Sequence, residues 1–285
     1  LQQTLPIPVW HDDQQGTALV VIAGMINAAK FVNKKFETLK ISLIGSGAAN
    51  VALVRLLSKA GVNIENIVVV DSRGILNLNR DDIKNNPAKW NIVETTNKDQ
   101  LAGGIKESLQ GMDACIALSK PGPGVIEESW IKDMSDSPIV FTCANPVPEI
   151  WPWEAKNAGA AIVATGRSDF PNQVNNSLGF PGLFRGALDV RALKLTDGMC
   201  LAAASEIASY AEKIGLSENY IVPKMDELEL FAHEAAAVAM KAIDEGVAQI
   251  KLDKSEVYEN ALEMITRSRN ITRSQMDSGF IKPAP

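Results

Sequence analysis

Residues 40–71 read KISLIGSGAANVALVRLLSKAGVNIENIVVVD, and this stretch decides the fold. Its first piece, Lys40–Gly45, is a short apolar run bounded by glycine, too brief for a helix, and reads as a fully buried strand. From Gly47 to Ala60 the apolar residues Val51, Leu53, Val54, Leu56 and Leu57 recur at helical spacing, and Gly61 closes the segment. Asn66–Asp71 is a second apolar run that ends in an acid. Strand, glycine turn, helix and strand in this order make a βαβ unit of the size such units need.

The pattern extends in both directions. Upstream, Thr17–Val32 is apolar almost all round, and Asp12 and Asp13 stand just before it. That predicts a buried helix with acids near the positive end of its dipole. Downstream, Lys98–Gln110 reads as a helix and Asp113–Leu118 as a strand. A Pro/Gly-rich turn at Lys120–Gly124 leads to a strand at Pro138–Cys143, a short helix at Trp153–Asn157 and a strand at Ala161–Ala164. Strands alternating with helices predict a parallel sheet covered on both faces. Beyond Gly166 only helices are expected: Val174–Ala192, Gly198–Ile214, Glu227–Val247 and Ser255–Arg269. We expect one compact α/β domain, its core at about 17–192, with a helical C-terminal extension at about 193–285.

Composition narrows the function classes. The 285 residues are 46% hydrophobic and 22% charged, enough for a sizeable core, which excludes disordered and low-complexity classes. Lys and Arg number 28 against 34 Asp and Glu, a net charge of −6, so the basic footprint of a nucleic-acid binder is missing. The longest uncharged apolar run, Gly16–Ala29, falls short of the ~20 residues that span a bilayer. The start, LQQTLPIPVWHDD, lacks the pattern of a signal peptide. It opens on Leu rather than Met, as expected of a processed chain or a piece of a longer one. Cys115, Cys143 and Cys200 are odd in number and widely spaced, and read as reduced thiols of a cytoplasmic protein.

Four constellations carry chemistry. In Gly45-Ser46-Gly47-Ala48-Ala49-Asn50 the first glycine permits a tight turn, and the second lets the backbone approach a pyrophosphate at a helix N-terminus. Asn50 takes the place of the third glycine that usually packs helix on strand. Asp71, 26 residues after Gly45, is near the spacing at which an acid meets a ribose 2′-hydroxyl. The second, His11-Asp12-Asp13 ahead of the buried helix, either binds a hard divalent cation or simply starts the helix. Asn145, in Cys143–Glu149, follows a strand, where ligands of open α/β sheets gather, or else makes an Asn-Pro turn. The fourth, Gly166–Asn176, carries the paired amides Asn175 and Asn176, suited to a hydroxyl or carboxylate, or to helix capping. Arg167 and Arg185 are either carboxylate clamps or partners of Asp169 and Asp189. His11 and His233 read as structural.

Together IPVWHDDQQGTA (7–18), ISLIGSGAAN (41–50), VDSRG (70–74), ANPVPEI (144–150), ATGRSDFPNQVNN (164–176) and FPGLFRGALDVRA (180–192) resemble the malic enzyme family in its short bacterial type. The likeness runs from about Ile7 to about Val247. It implies a doubly wound, mostly parallel Rossmann-type sheet. It also implies a metal-dependent homo-oligomeric oxidoreductase that converts malate to pyruvate and CO2 while reducing NAD, or NADP. By this resemblance Asp13 is the metal-binding acid for Mg or Mn, and Asp12 is a catalytic neighbour that supports a lysine. Gly45, Ser46, Gly47, Ala48 and Ala49 form the dinucleotide loop, and Asp71 reads the ribose. Asn145, Asn175 and Asn176 hold malate, with Asn145 also on the nicotinamide. The implied cation binds the C2 oxygen and a carboxylate oxygen of malate and then stabilises the enolate.

The family's tyrosine acid, lysine base and Glu-Asp pair of metal ligands lie upstream of the HDD motif. Only eleven residues precede Asp12 here, and Tyr210, Tyr220 and Tyr258 match nothing catalytic. The expectation is therefore the cofactor-binding part of such an enzyme, without its N-terminal domain. The alternatives are a dinucleotide-binding module with no turnover, or a glutamate- or methylenetetrahydrofolate-type dehydrogenase. Asp71 favours NAD, since it would repel a 2′-phosphate, whereas Arg73 could pair with that phosphate.

Overall fold

The computed structural model describes residues 1–2, 4–5 and 7–282. Its strands are β1 (Ile41–Ile44), β2 (Ile67–Asp71), β3 (Gly74–Ile75), β4 (Ala114–Ala117), β5 (Ile139–Thr142) and β6 (Ile162–Thr165). They form one sheet in the order β3-β2-β1-β4-β5-β6. All neighbours are parallel except β3, which folds back on β2. Alternate residues face opposite sides. Ile41, Leu43, Ile67, Val69, Ile116 and Phe141 enter one core layer. Ile44, Val68, Val70, Cys115 and Val140 enter the other.

The helices are α1 (Thr17–Phe31), α2 (Ala48–Lys59), α3 (Pro87–Thr95), α4 (Ile105–Leu109) and α5 (Glu128–Ile131). They continue as α6 (Pro152–Asn157), α7 (Phe180–Asp189), α8 (Asp197–Ile214), α9 (Glu229–Asp244) and α10 (Lys254–Asp277). Residues from α1, α2, α7, α8 and α9 share the first layer, and residues from α4, α5 and α6 the second. The helices that follow β6 in sequence thus help to cover the sheet. α1 is buried nearly all round, and each fully buried Leu, Ile or Met contributes roughly 1.5–3 kcal/mol. Its one buried amide, Asn27, donates through Nδ2 to the carbonyls of Ala208 (2.9 Å) and Ile221 (2.8 Å). Among the described residues, no helix is long and apolar enough to cross a membrane.

Several elements depart from the sequence expectation, among them α5, which was not expected, and α10, which runs on to Asp277. The helix read at Lys98–Gln110 shrinks to α4, because Asn97, Gln100 and Gly103 take left-handed backbone angles that a helix cannot continue through. The helix expected from Val174 begins only at Phe180. Before it, Gln173 bridges to Thr165, and the Val174 N–H donates to the Thr165 carbonyl at 2.7 Å. β3 and α3 fill a stretch with no periodic signal. α3 starts as capping rules prescribe, with the Asn86 side chain accepting from the Lys89 N–H and Pro87 in the first turn.

Candidate functional site

The chain leaves β1 through Gly45, whose φ of +104° favours glycine. A Cβ there would stand 2.5 Å from the Leu118 carbonyl oxygen, so β1 and the β4 exit can approach only because Gly45 has none. Its N–H donates to the Val70 carbonyl at 2.8 Å. Gly47 is different. A Cβ on it would meet nothing within 4 Å, so the α2 N-terminus faces open space. No side chain caps that end, and its first-turn N–H groups keep their positive pole for a ligand. Asn50 is buried and does the packing that a third glycine would have done. Its Nδ2 donates to the carbonyls of Ile44 (3.2 Å) and Gly45 (2.7 Å), tying α2 to the strand end.

Two hollows flank this turn at the C-terminal edge of the sheet. One, of about 290 Å³, is bordered by Ser46, Gly47, Ala48, Arg55, Asn86 and Lys89. The other, of about 260 Å³, is bordered by Ala49, Ser119, Ala144, Asn145, Asn175 and Asn176. Loop and amide residues singled out in the sequence therefore meet around one turn, at the strand ends where open α/β sheets bind ligands.

Asp71 lies at the end of β2 but its carboxylate is engaged. Arg80 holds both oxygens at 3.2 Å, Lys89 Nζ reaches Oδ2 at 2.5 Å, and the Arg73 N–H donates to Oδ1 at 2.9 Å. Burial alone would raise Asp71, but Arg80, Lys89 and the Arg73 N–H together hold it below the usual carboxylate value. The Arg73 side chain is 70% exposed and pairs with Asp82 at 3.1 Å. Sequence reasoning missed Arg80 and Lys89; the only available signal was two cations following an acid in an unperiodic stretch.

On the other side, Asn145 is exposed at the tip of the loop after β5, which contains a cis Asn145–Pro146 peptide. Its amide comes so close to Gly166 that a Cβ there would lie 2.8 Å from Asn145 Nδ2. Asn175 donates to the Gly166 carbonyl at 3.2 Å and accepts from the Ser177 N–H at 3.0 Å. Asn176 donates to Asp12 Oδ2. Asp12 Oδ1 is buried and has no partner among the described residues. Burial first, and Asp13 second, push the Asp12 carboxyl above its ordinary range. Asp13 itself is exposed. Arg167 pairs with Asp169 at 2.7 Å and Arg185 with Asp189, so each has a local partner.

A divalent cation needs several oxygen ligands. Asp12 and Asp13 are two carboxylates, one oxygen of which already accepts from Asn176. Among the described residues, no group of three or more His, Cys, Asp or Glu is placed to hold a metal ion. The residues present do not make a complete cation site. The cysteines are not nucleophiles either: all three are buried, and burial pushes Cys200 up to about 12 and the other two further. Glu149, quoted in the ANPVPEI segment without a role, is fully buried and accepts from Ser119 and Ala144, two residues that border the second hollow.

A parallel sheet whose first strand ends in an open glycine turn at a helix N-terminus defines the Rossmann-type class of α/β domains. The family described as "Malic enzyme, NAD binding domain" matches residues 14–243, and the chain belongs to it. It is 44% identical to the NAD-dependent malic enzyme of Geobacillus stearothermophilus, covering 87% of this chain and 51% of that protein. It is 40% identical to the NADP-dependent malic enzyme of Halomonas elongata, covering 85% and 59%. The crystal structure of the Entamoeba histolytica malic enzyme superposes with a TM-score of 0.97 at 49% identity, over 100% of this chain and 59% of that one. The chain thus spans between half and two thirds of the length of these relatives.

Proposed function

We propose that this chain is the cofactor-binding half of a malic enzyme, one that oxidises malate and releases pyruvate and CO2. The observation that carries this reading is the meeting of Asn145, Asn175 and Asn176 around one hollow beside the open glycine turn. Ser46, Gly47, Ala48 and Ala49 would receive the pyrophosphate through backbone N–H groups. NAD or NADP, when bound, supplies the hydride acceptor for C2 of malate. The amides of Asn145, Asn175 and Asn176 would orient the hydroxy acid through neutral donors and acceptors. With its oxygens held by Arg80 and Lys89, Asp71 gives no ground for excluding a 2′-phosphate, so both cofactors are carried. Asp13, and Asp12 behind it, would contribute to a cation site only with ligands from outside this chain. Among the described residues, no lysine or tyrosine borders the second hollow to move a proton.

Calorimetric titration of residues 1–285 with NAD and with NADP, alongside a malate-oxidation assay, tests the reading. The expected result is binding of one dinucleotide without turnover, since each missing acid or base typically costs ~10²–10⁴-fold. Turnover should appear when the remaining part of the enzyme is supplied. Robust malate-dependent NADH formation by this chain alone would refute the half-site reading. Failure to bind either dinucleotide would refute the cofactor reading.

A further inference from the structure

Two loops wall the second hollow: Leu118–Ser119 after β4 and Cys143–Asn145 after β5. Backbone bonds join the strands below them, and at the rim a side chain adds its own link. Glu149 Oε1 accepts from the Ser119 N–H at 2.9 Å and from the Ser119 hydroxyl at 3.0 Å. Its Oε2 accepts from the Ala144 N–H at 3.2 Å. The same stretch is zipped to the β4 exit by Gly122 N–H to the Val147 carbonyl (3.2 Å) and Ile126 N–H to the Glu149 carbonyl (3.3 Å). The carboxylate is 0% exposed, and these three partners are neutral dipoles. Such a site asks for a group that only accepts. An amide of the same size would turn its NH2 toward one of the donors and leave a buried N–H without an acceptor.

We propose that Glu149 is a positioning residue for the nicotinamide half of the dinucleotide, fixing the spacing of the two loops between which that half would lie. This rests on the cofactor reading above. In a sheet of this order the glycine turn takes the pyrophosphate, and the loops after β4 and β5 lie on the side away from the adenosine. Glu149 touches neither the turn nor the basic cluster around Asp71. Its loss should therefore be felt by one end of the ligand and not by the other.

The test uses residues 1–285 and two probes, NAD and ADP-ribose, the second lacking the nicotinamide. Glu149→Gln should weaken NAD about tenfold, the size of one lost hydrogen bond to a charged acceptor, and leave ADP-ribose within about twofold of wild type. Glu149→Asp keeps both acceptor oxygens on a shorter stem and should show the same selective loss in smaller measure. It also carries the test if the Gln variant does not fold. Wild-type affinity for NAD in the variant would overturn the proposal. So would proportional loss of NAD and ADP-ribose, which marks a merely structural role. A wild-type chain that binds neither probe is a separate result, because it overturns the cofactor reading itself.

Discussion

Asp12 is held by one good contact and opposed by two bad ones. Asn176 donates to it, while burial and the neighbouring Asp13 charge disfavour its ionised form. Asp12→Asn keeps an oxygen to accept from Asn176 and removes the charge. A carboxyl raised in the folded state contributes stability below its unfolded value of about 3.9, and that contribution is lost as pH rises through the folded value. The variant should therefore match wild type at pH 4 and equal or exceed it at pH 7, by under about 1 kcal/mol, since solvent screens a half-buried group. Thermal melts at the two pH values check this; a lower Tm at pH 7 would contradict it. On the role proposed for Asp12, turnover by the whole enzyme should fall in the same variant, which would be function retained at a cost in stability. At this scale the sequence was partly legible. The acid at the end of β2 was visible, but its occupation by Arg80 and Lys89 was not, because pairing across a loop leaves no periodic trace. Asn50 was visible only as a departure from glycine, since nothing local reveals that its amide reaches two carbonyls.

Between α7 and α9 the packing is close enough to enclose a carboxyl group. Glu234 on α9 is fully buried, and neither of its oxygens has a partner among the described residues. The nearby Leu183 N–H is taken by the Gly179 carbonyl at 3.1 Å. A Cβ on Gly182 would fall within 2.7 Å of Glu234 Cβ, so α7 passes here only because it carries glycine. Burial pushes the Glu234 carboxyl well above its ordinary value. The folded state thus holds a proton that the unfolded chain releases near pH 4.3, and stability declines as pH rises from there towards the folded value. Each pH unit in that window costs the fold up to ~1.4 kcal/mol. Glu234→Gln should flatten the decline, with little difference at pH 5 and a clear gain by pH 8 in urea unfolding. Parallel curves for the two proteins would show that Glu234 does not titrate in this window. The sequence revealed α9 as a helix but not this residue, because an acid beside apolar neighbours is more naturally read as exposed. In the same way Gln173 was read on the path into a helix, whereas its bridge to β6 is a long-range choice.

The whole architecture was the most legible level. Short apolar runs separated by helical periodicity dictate a parallel sheet with two covered faces, and the strand order agrees. Less legible was where the late helices go, since an apolar face announces burial without naming its partner. α8 and α9 share a core layer with β1, and α1 lies beneath α8. Asn27 sharpens the point, because its buried Nδ2 donates to the carbonyls of Ala208 and Ile221. During synthesis the helix at residues 17–31 emerges long before either acceptor exists. At ~5–20 residues per second, the 190 residues from Val32 through Ile221 take roughly 10–40 s to make. For that interval the apolar face of this segment that α8 covers in the finished fold lacks its partner, a natural target for a holdase chaperone. Nascent chains arrested before Asp197 should be cleaved within residues 17–31 by low protease concentrations, and chains arrested beyond residue 250 should be protected there. Equal protection in the shorter chains would mean that α1 finds other shelter. One face of this nearly all-buried helix thus waits for a late partner at birth, and its safe arrival depends on how quickly the ribosome delivers α8.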